Sequence, residues 1–202
     1  MVTFQVPTHN TVADPLVFKV PECLVLVAGS RRGAVAPQTA GKLVEHLSHA
    51  GFGFPVGCAP GVDEGFRLAV SRNEKARETS FIACAFANGV GQSESAGLTA
   101  GVVVPDGLSA AAALRRRTLW MVKRCVLLIL FPEDPATGRW GKGSRLAFQA
   151  ALFQLKPVFV VTAKRPSDSP HHRIIADGFY GVMNGYWAVP HPTELGTCDE
   201  EW

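Results

Sequence analysis

The run Leu24-Val25-Leu26-Val27-Ala28, followed at once by Gly29-Ser30-Arg31-Arg32, constrains this chain more than any other stretch. Continuous apolar residues without polar alternation fit a strand covered on both faces, and such strands belong to parallel sheets flanked by helices. The abrupt change to small residues and a cation reads as the turn into a helix. At the carboxyl edge of a parallel sheet, that turn and the N-terminal amides of the next helix suit an anion. Gly29, Ser30 and Arg31 are therefore the first candidate phosphate-binding residues.

The same unit repeats downstream. Ala40, Leu43, Val44, Leu47 and Ala50 fall at helical spacing, and Gly51 stands where a C-terminal cap belongs. Gly53 to Val56 reads as a second strand running into Gly57-Cys58-Ala59-Pro60-Gly61-Val62-Asp63, a tight turn with Asp63 placed to cap a helix whose buried face is Val62, Phe66, Ala69 and Val70. Ser80 to Phe86, Cys125 to Phe131 and Pro157 to Val161 are the third, fourth and fifth strands. This alternation predicts an α/β, Rossmann-like doubly wound fold with a mainly parallel five-stranded sheet and helices on both faces. The Gly- and Ser-rich stretch from Asn88 to Gly107 reads as a long loop of the lid or mobile kind.

On this reading residues 1–22, with Pro7, Pro15 and Pro21, are a lead-in, 23–163 the Rossmann-like domain, and 164–202 an extension packed on it. Gly178 to Val189 is placed to add a peripheral strand or hairpin.

Two further stretches carry charge to loop ends. Ser109 precedes a helix that bears Arg115-Arg116-Arg117. Its buried stripe is expected to be Leu114, Thr118, Met121 and Val122, with Arg115 and Arg117 flanking it, either placed to meet a phosphate, and Arg116 pointing out. After the fourth strand, a turn-rich loop ends in Gly141-Lys142-Gly143-Ser144 at the start of another helix. The glycines admit close backbone approach, Lys142 adds charge, and Ser144 is suited to capping the helix or bonding a phosphate oxygen.

Composition narrows the class. Of 202 residues, 47% are hydrophobic and 18% charged, which describes a folded globular chain. No apolar run approaches the roughly 20 residues of a membrane span, and the start lacks the layout of a secretion signal, so a cytoplasmic protein without membrane attachment is expected. The five cysteines form no Cys-x-x-Cys pair, and His171-His172, read as an exposed loop pair, lacks ligand spacing. No metal or cofactor is implied. A net charge of +3 does not mark the whole surface for nucleic acid, so any basic patch is local.

Taken in order, these motifs resemble those of the SLOG superfamily, most nearly its DprA (Smf) family of DNA-processing proteins and more distantly the LOG phosphoribohydrolases. The resemblance spans about residues 24–162. Ser30 and Arg31 match the family's Gly-Ser-Arg, Gly61 and Asp63 its Gly-Ile-Asp, Arg115 and Arg117 the ends of its Arg-Asn-Arg, with Arg116 in the middle, and Gly143 and Ser144 its Gly-Ser. It implies a carboxyl-edge pocket for phosphates, with a nucleotide or single-stranded nucleic acid as partner. The LOG motif Pro-Gly-Gly-x-Gly-Thr-x-x-Glu has Ala147 at its glutamate position here, so the alternative, an N-glycosidic hydrolase or transferase, would draw its acid from Glu133, Asp134 or Asp63. A homodimer through the helix after Ser144 or the aromatic C-terminal segment is left open.

Overall fold

In a computed structural model of the chain, residues 23–94 and 97–191 are described; the lead-in prolines and Cys198 lie outside them. β1 (Val25–Gly29) is the central strand. On one side it pairs in parallel with β5 (Leu127–Phe131), and β5 with β6 (Val158–Val160). On the other, Val25 N donates to Gly53 O at 2.9 Å and Gly53 N to Cys23 O at 3.1 Å. This parallel bridge joins β1 to the parallel set β2 (Pro55–Gly57), β3 (Phe81–Cys84) and β4 (Thr99–Val102). An antiparallel hairpin continues the sheet beyond β6: β8 (Met183–Pro190) pairs with β6, and β7 (His172–Phe179) forms the outer edge. The fold is Rossmann-like and mainly parallel, as expected, with more strands than the five anticipated.

Strand alternation sorts the core into two layers. Val25, Val27, Ile129, Phe131 and Phe159 pack towards α1 (Pro37–His49) and α2 (Val62–Ser71), meeting Leu43, Val44, Leu47, Phe66 and Val70. The short α3 (Glu74–Thr79) adds Ala76 to the same layer. Leu26, Leu128, Leu130, Val158 and Val160 pack towards α5 (Ala110–Arg124) and α6 (Lys142–Phe153) through Met121, Val122, Ala147 and Ala151. Fully burying each Val, Leu, Ile or Phe contributes about 1.5–3 kcal/mol, so the central strands are the firmest part of the sheet. Gly51 (φ 87°) ends α1 as its spacing suggested, with Phe52 N donating to Leu47 O at 3.0 Å, and Ser109 caps α5.

Three expectations are corrected. The stretch from Asn88 to Gly107 is largely ordered structure: it holds most of α4 (Ala87–Glu94) and all of β4, paired to β3 from Phe81↔Thr99 to Cys84↔Val102. Thr-Ala-Gly-Val is too small and too weakly apolar to announce a strand, and the glycines of α4 hide its periodicity. On α5 the buried residues are Ala113, Arg117, Met121 and Val122, so Arg117 lies in the buried stripe, at the i+4 spacing between Ala113 and Met121. His172 is no exposed loop residue: it begins β7, is buried, and its Nδ1 lies 2.7 Å from Ser169 Oγ. The hairpin is seated by Gly185, where an added Cβ would overlap Val160 O and crowd the Phe159 ring.

Candidate nucleic-acid interface

The chain leaves β1 through α1 towards β2 on one side and leaves β5 through α6 towards β6 on the other. The loops after β1 and β5 therefore diverge, and a crevice opens between the carboxyl ends of these neighbouring strands, where open α/β sheets take ligands. Three turns wall it: Ser30 to Gly33, Gly57 to Gly61, and Pro132 to Gly141.

The open part of the crevice centres on Gly141, the N-cap of α6, which has no side-chain cap. A Cβ at that position would lie 3.9 Å from Ser30 Oγ, 4.0 Å from Ser144 Oγ and 4.0 Å from Glu133 Oε2, so three polar groups surround one point at the helix N-terminus. Ser30 Oγ accepts from Arg32 N at 3.1 Å. Ser144 is 2% exposed, and its hydroxyl has no hydrogen-bond partner among the described residues. It does not cap α6, whose N-cap is Gly141. Arg31, Lys142 and Gly143 are exposed at the rim. Glu133 is held by Arg139 at 3.1 Å and Arg32 at 3.8 Å, so its charge is shared with two cations.

The inner part is a buried frame. Asp63 and Arg117 pair at 3.5 Å, both almost fully buried. Asp63 is thus not the helix cap; α2 starts from Gly61 (φ 78°), which has no side-chain cap. Gly57 is required for this pair, since a Cβ there would overlap the Asp63 carboxylate and lie 3.2 Å from Arg117 Cζ. Gly61 is required where two turns touch: its Cβ would lie 2.6 Å from the carbonyl oxygens of Ser30 and Arg31. Gly29 admits Val62, whose Cγ2 would be 2.6 Å from a Cβ. Burial pushes the Asp63 carboxyl above its ordinary value, while the Arg117 and Arg67 charges pull it down.

Gly29, Gly57, Gly61, Asp63 and Arg117 therefore shape the crevice from within, whereas Ser30, Arg31, Gly141, Lys142, Gly143 and Ser144 face or rim it. Arg115 stands exposed on α5 with Arg116, outside the buried pair.

Two residues were missed. Arg67 donates to Gly57 O at 2.7 Å and Ala59 O at 2.8 Å, clamping the turn after β2. Cys58, in that turn, accepts from Arg117 Nη1 at 3.3 Å. A hydrogen bond with Cys84, and further ones with Ala85 N and Arg117, lower its thiol from 9.0 to about 5 against the opposing effect of burial. A lone cysteine after an apolar strand ordinarily behaves as a small hydrophobe; what sets Cys58 apart is the register Gly57↔Ala83, which puts it beside Cys84. Among the described residues no group of His, Cys, Asp or Glu is arranged to hold a metal, and no helix is long and apolar enough to cross a membrane.

Fold and crevice together define a Rossmann-like α/β domain with an open crevice at its topological switch point. Its fold is similar to that of solved structures of DNA processing protein A (DprA). The structure of DprA from Helicobacter pylori superposes with a TM-score of 0.53 at 19% identity, covering 71% of this chain and 67% of that one. DprA from Streptococcus pneumoniae superposes with a TM-score of 0.52 at 16% identity over 73% of this chain, which spans about half (52%) of that protein. The H. pylori protein binds single-stranded DNA. No family model and no curated protein sequence matches the chain.

Proposed function

We propose that this protein binds single-stranded nucleic acid through its phosphates at the crevice between β1 and β5. The observation that carries this reading is the Ser144 hydroxyl, buried beside the uncapped start of α6 with no partner among the described residues. A buried hydroxyl without a partner costs about 1–3 kcal/mol, a cost relieved when an anionic oxygen accepts from it. Ser30 stands across the same point, the free amides of the first turn of α6 favour negative charge, and Arg31 and Lys142 at the rim supply cations to the flanking phosphates. Likeness of fold to a protein that binds single-stranded DNA supports the choice of a polymer over a free nucleotide.

The test is fluorescence anisotropy of labelled oligothymidylate against salt concentration. Affinity should fall with a log–log slope of about −0.7 for each phosphate contacted. A flat dependence, with mononucleotides binding equally well, would assign the crevice to a small nucleotide. No binding to either would sink the proposal.

A further inference from the structure

A second feature lies beside the crevice. A cavity of about 810 Å³ runs along α6, between that helix and the segment after β6; it shares Thr137, Gly138 and Trp140 with the turn that walls the crevice, but Ser30, Arg31, Gly141, Lys142, Gly143 and Ser144 do not line it. Its walls combine ring systems with cations: Trp140, Phe148 and Phe153 on one side, Arg145, Lys164 and Arg165 around them, Arg165 being paired with Asp168 at 2.7 Å. Trp140 packs edge-on against Phe148 with centroids 4.9 Å apart, and Phe148 edge-on against His172 at 5.5 Å, so the rings form one connected wall. Among the described residues that line the cavity there is no Asp or Glu, and neither Arg145 nor Lys164 has an ion pair.

Resting on the reading of the crevice, we propose that this groove is a second contact region for the same single strand, taking bases against its ring wall and phosphates on Arg145 and Lys164. Its chemistry, aromatic faces interleaved with cations and with no Asp or Glu in the lining, is the one that holds single-stranded nucleic acid without sequence preference. Its position fits: Arg145 follows Ser144 directly, and from Arg145 to Phe153 α6 extends about 12 Å at 1.5 Å per residue, room for about three nucleotides at a stacked spacing of 3.4 Å. The strand thus leaves the helix N-terminus and continues down the outside of α6.

The experiment compares a short and a long oligothymidylate, dT4 and dT15, on the wild-type chain, on Arg145→Ala/Lys164→Ala and on Ser144→Ala. Arg145 and Lys164 are both exposed and free of ion pairs among the described residues, so their double variant should keep its circular dichroism and melting temperature. The expected result is dT15 binding at least tenfold tighter than dT4 to wild type. The double variant should lose about tenfold on dT15 and less than twofold on dT4, with a salt slope shallower by about 1.4, two contacts at about 0.7 each. Ser144→Ala should weaken both oligonucleotides. Equal affinity for the two lengths, unchanged in the double variant, overturns the groove while leaving the crevice standing. Absence of any binding overturns the crevice instead. A wild-type dimer that the double variant dissociates, with dT15 affinity unchanged, makes the groove a self-association surface and overturns the proposal.

Discussion

Arg117 and Asp63 form a buried ion pair at 3.5 Å that spans from α5 to α2, beneath the turn that Gly57 opens. One partner cannot be removed without leaving the other charge in a site with little water. Arg117→Ala should therefore destabilise the fold by about 3–5 kcal/mol, and Gly57→Ala should also destabilise by driving into the Asp63 carboxylate. Urea denaturation measures both. A loss below about 1 kcal/mol for Arg117→Ala would mean that water reaches Asp63 and that the pair is not the frame described.

Ser144 makes the opposite prediction. Because its hydroxyl has no partner among the described residues, Ser144→Ala removes a desolvated group without breaking a bond. The melting temperature should hold or rise, while oligonucleotide affinity falls tenfold or more, the value of a hydrogen bond to a charged group. Thermal melting paired with anisotropy separates the two effects. A stability loss with unchanged binding would give the serine a structural role.

Glu133 places a carboxylate oxygen 4.0 Å from the Cβ position of Gly141, where a phosphate is expected. Even at the dielectric constant of water, like charges about 4 Å apart repel by on the order of 1 kcal/mol. Glu133→Gln should therefore tighten oligonucleotide binding roughly fivefold, and it also frees Arg32 and Arg139 for the ligand. Weaker binding in this variant would show that the carboxylate positions those arginines and does not oppose the ligand.

Cys58 predicts a pH profile. With the thiol lowered to about 5, alkylation by iodoacetamide should be near its plateau at pH 7 and fall by half near pH 5. Since the folded value lies below the unfolded one, the thiolate contributes stability that is fully present above pH 9 and lost as pH falls through about 5. The stability difference between wild type and Cys58→Ser should grow over that window. An alkylation midpoint near 9 would mean that neither Cys84 nor Arg117 acts on the sulfur.

Much of this fold was readable because its parallel strands are uniform. Leu24 to Ala28 and Cys125 to Phe131 are apolar throughout, and the glycines that follow β1 and β2 mark turns under steric demand. The strand ends that wall the crevice were legible for the same reason: an apolar run breaks off into small residues at Gly29-Ser30 and at Gly57. The division of labour among the crevice residues was not. Gly57, Asp63 and Arg117 look like ligand-facing residues, yet they serve the frame, because a buried ion pair and a binding cation have the same one-letter signature. Arg117 was placed at the flank of the buried stripe and not within it, because a helical wheel carries no sign of a buried partner such as Asp63 on another element. Thr99 to Val102 carried no strand signal since its pairing is supplied by β3.

β8 lies between β6 and β7 although it follows both in the chain. A ribosome that has delivered the chain through β6 exposes Val158 to Val160 with one row of backbone donors and acceptors unmatched, and the strand that satisfies them arrives only with residues 183–190. Such an edge is a template for pairing with a neighbouring chain. The nascent protein therefore passes through a stage in which its sheet is complete on the β1 side and adhesive on the other. Slowing synthesis between β6 and β8 would lengthen that stage and cost soluble yield without altering a single residue of the finished molecule.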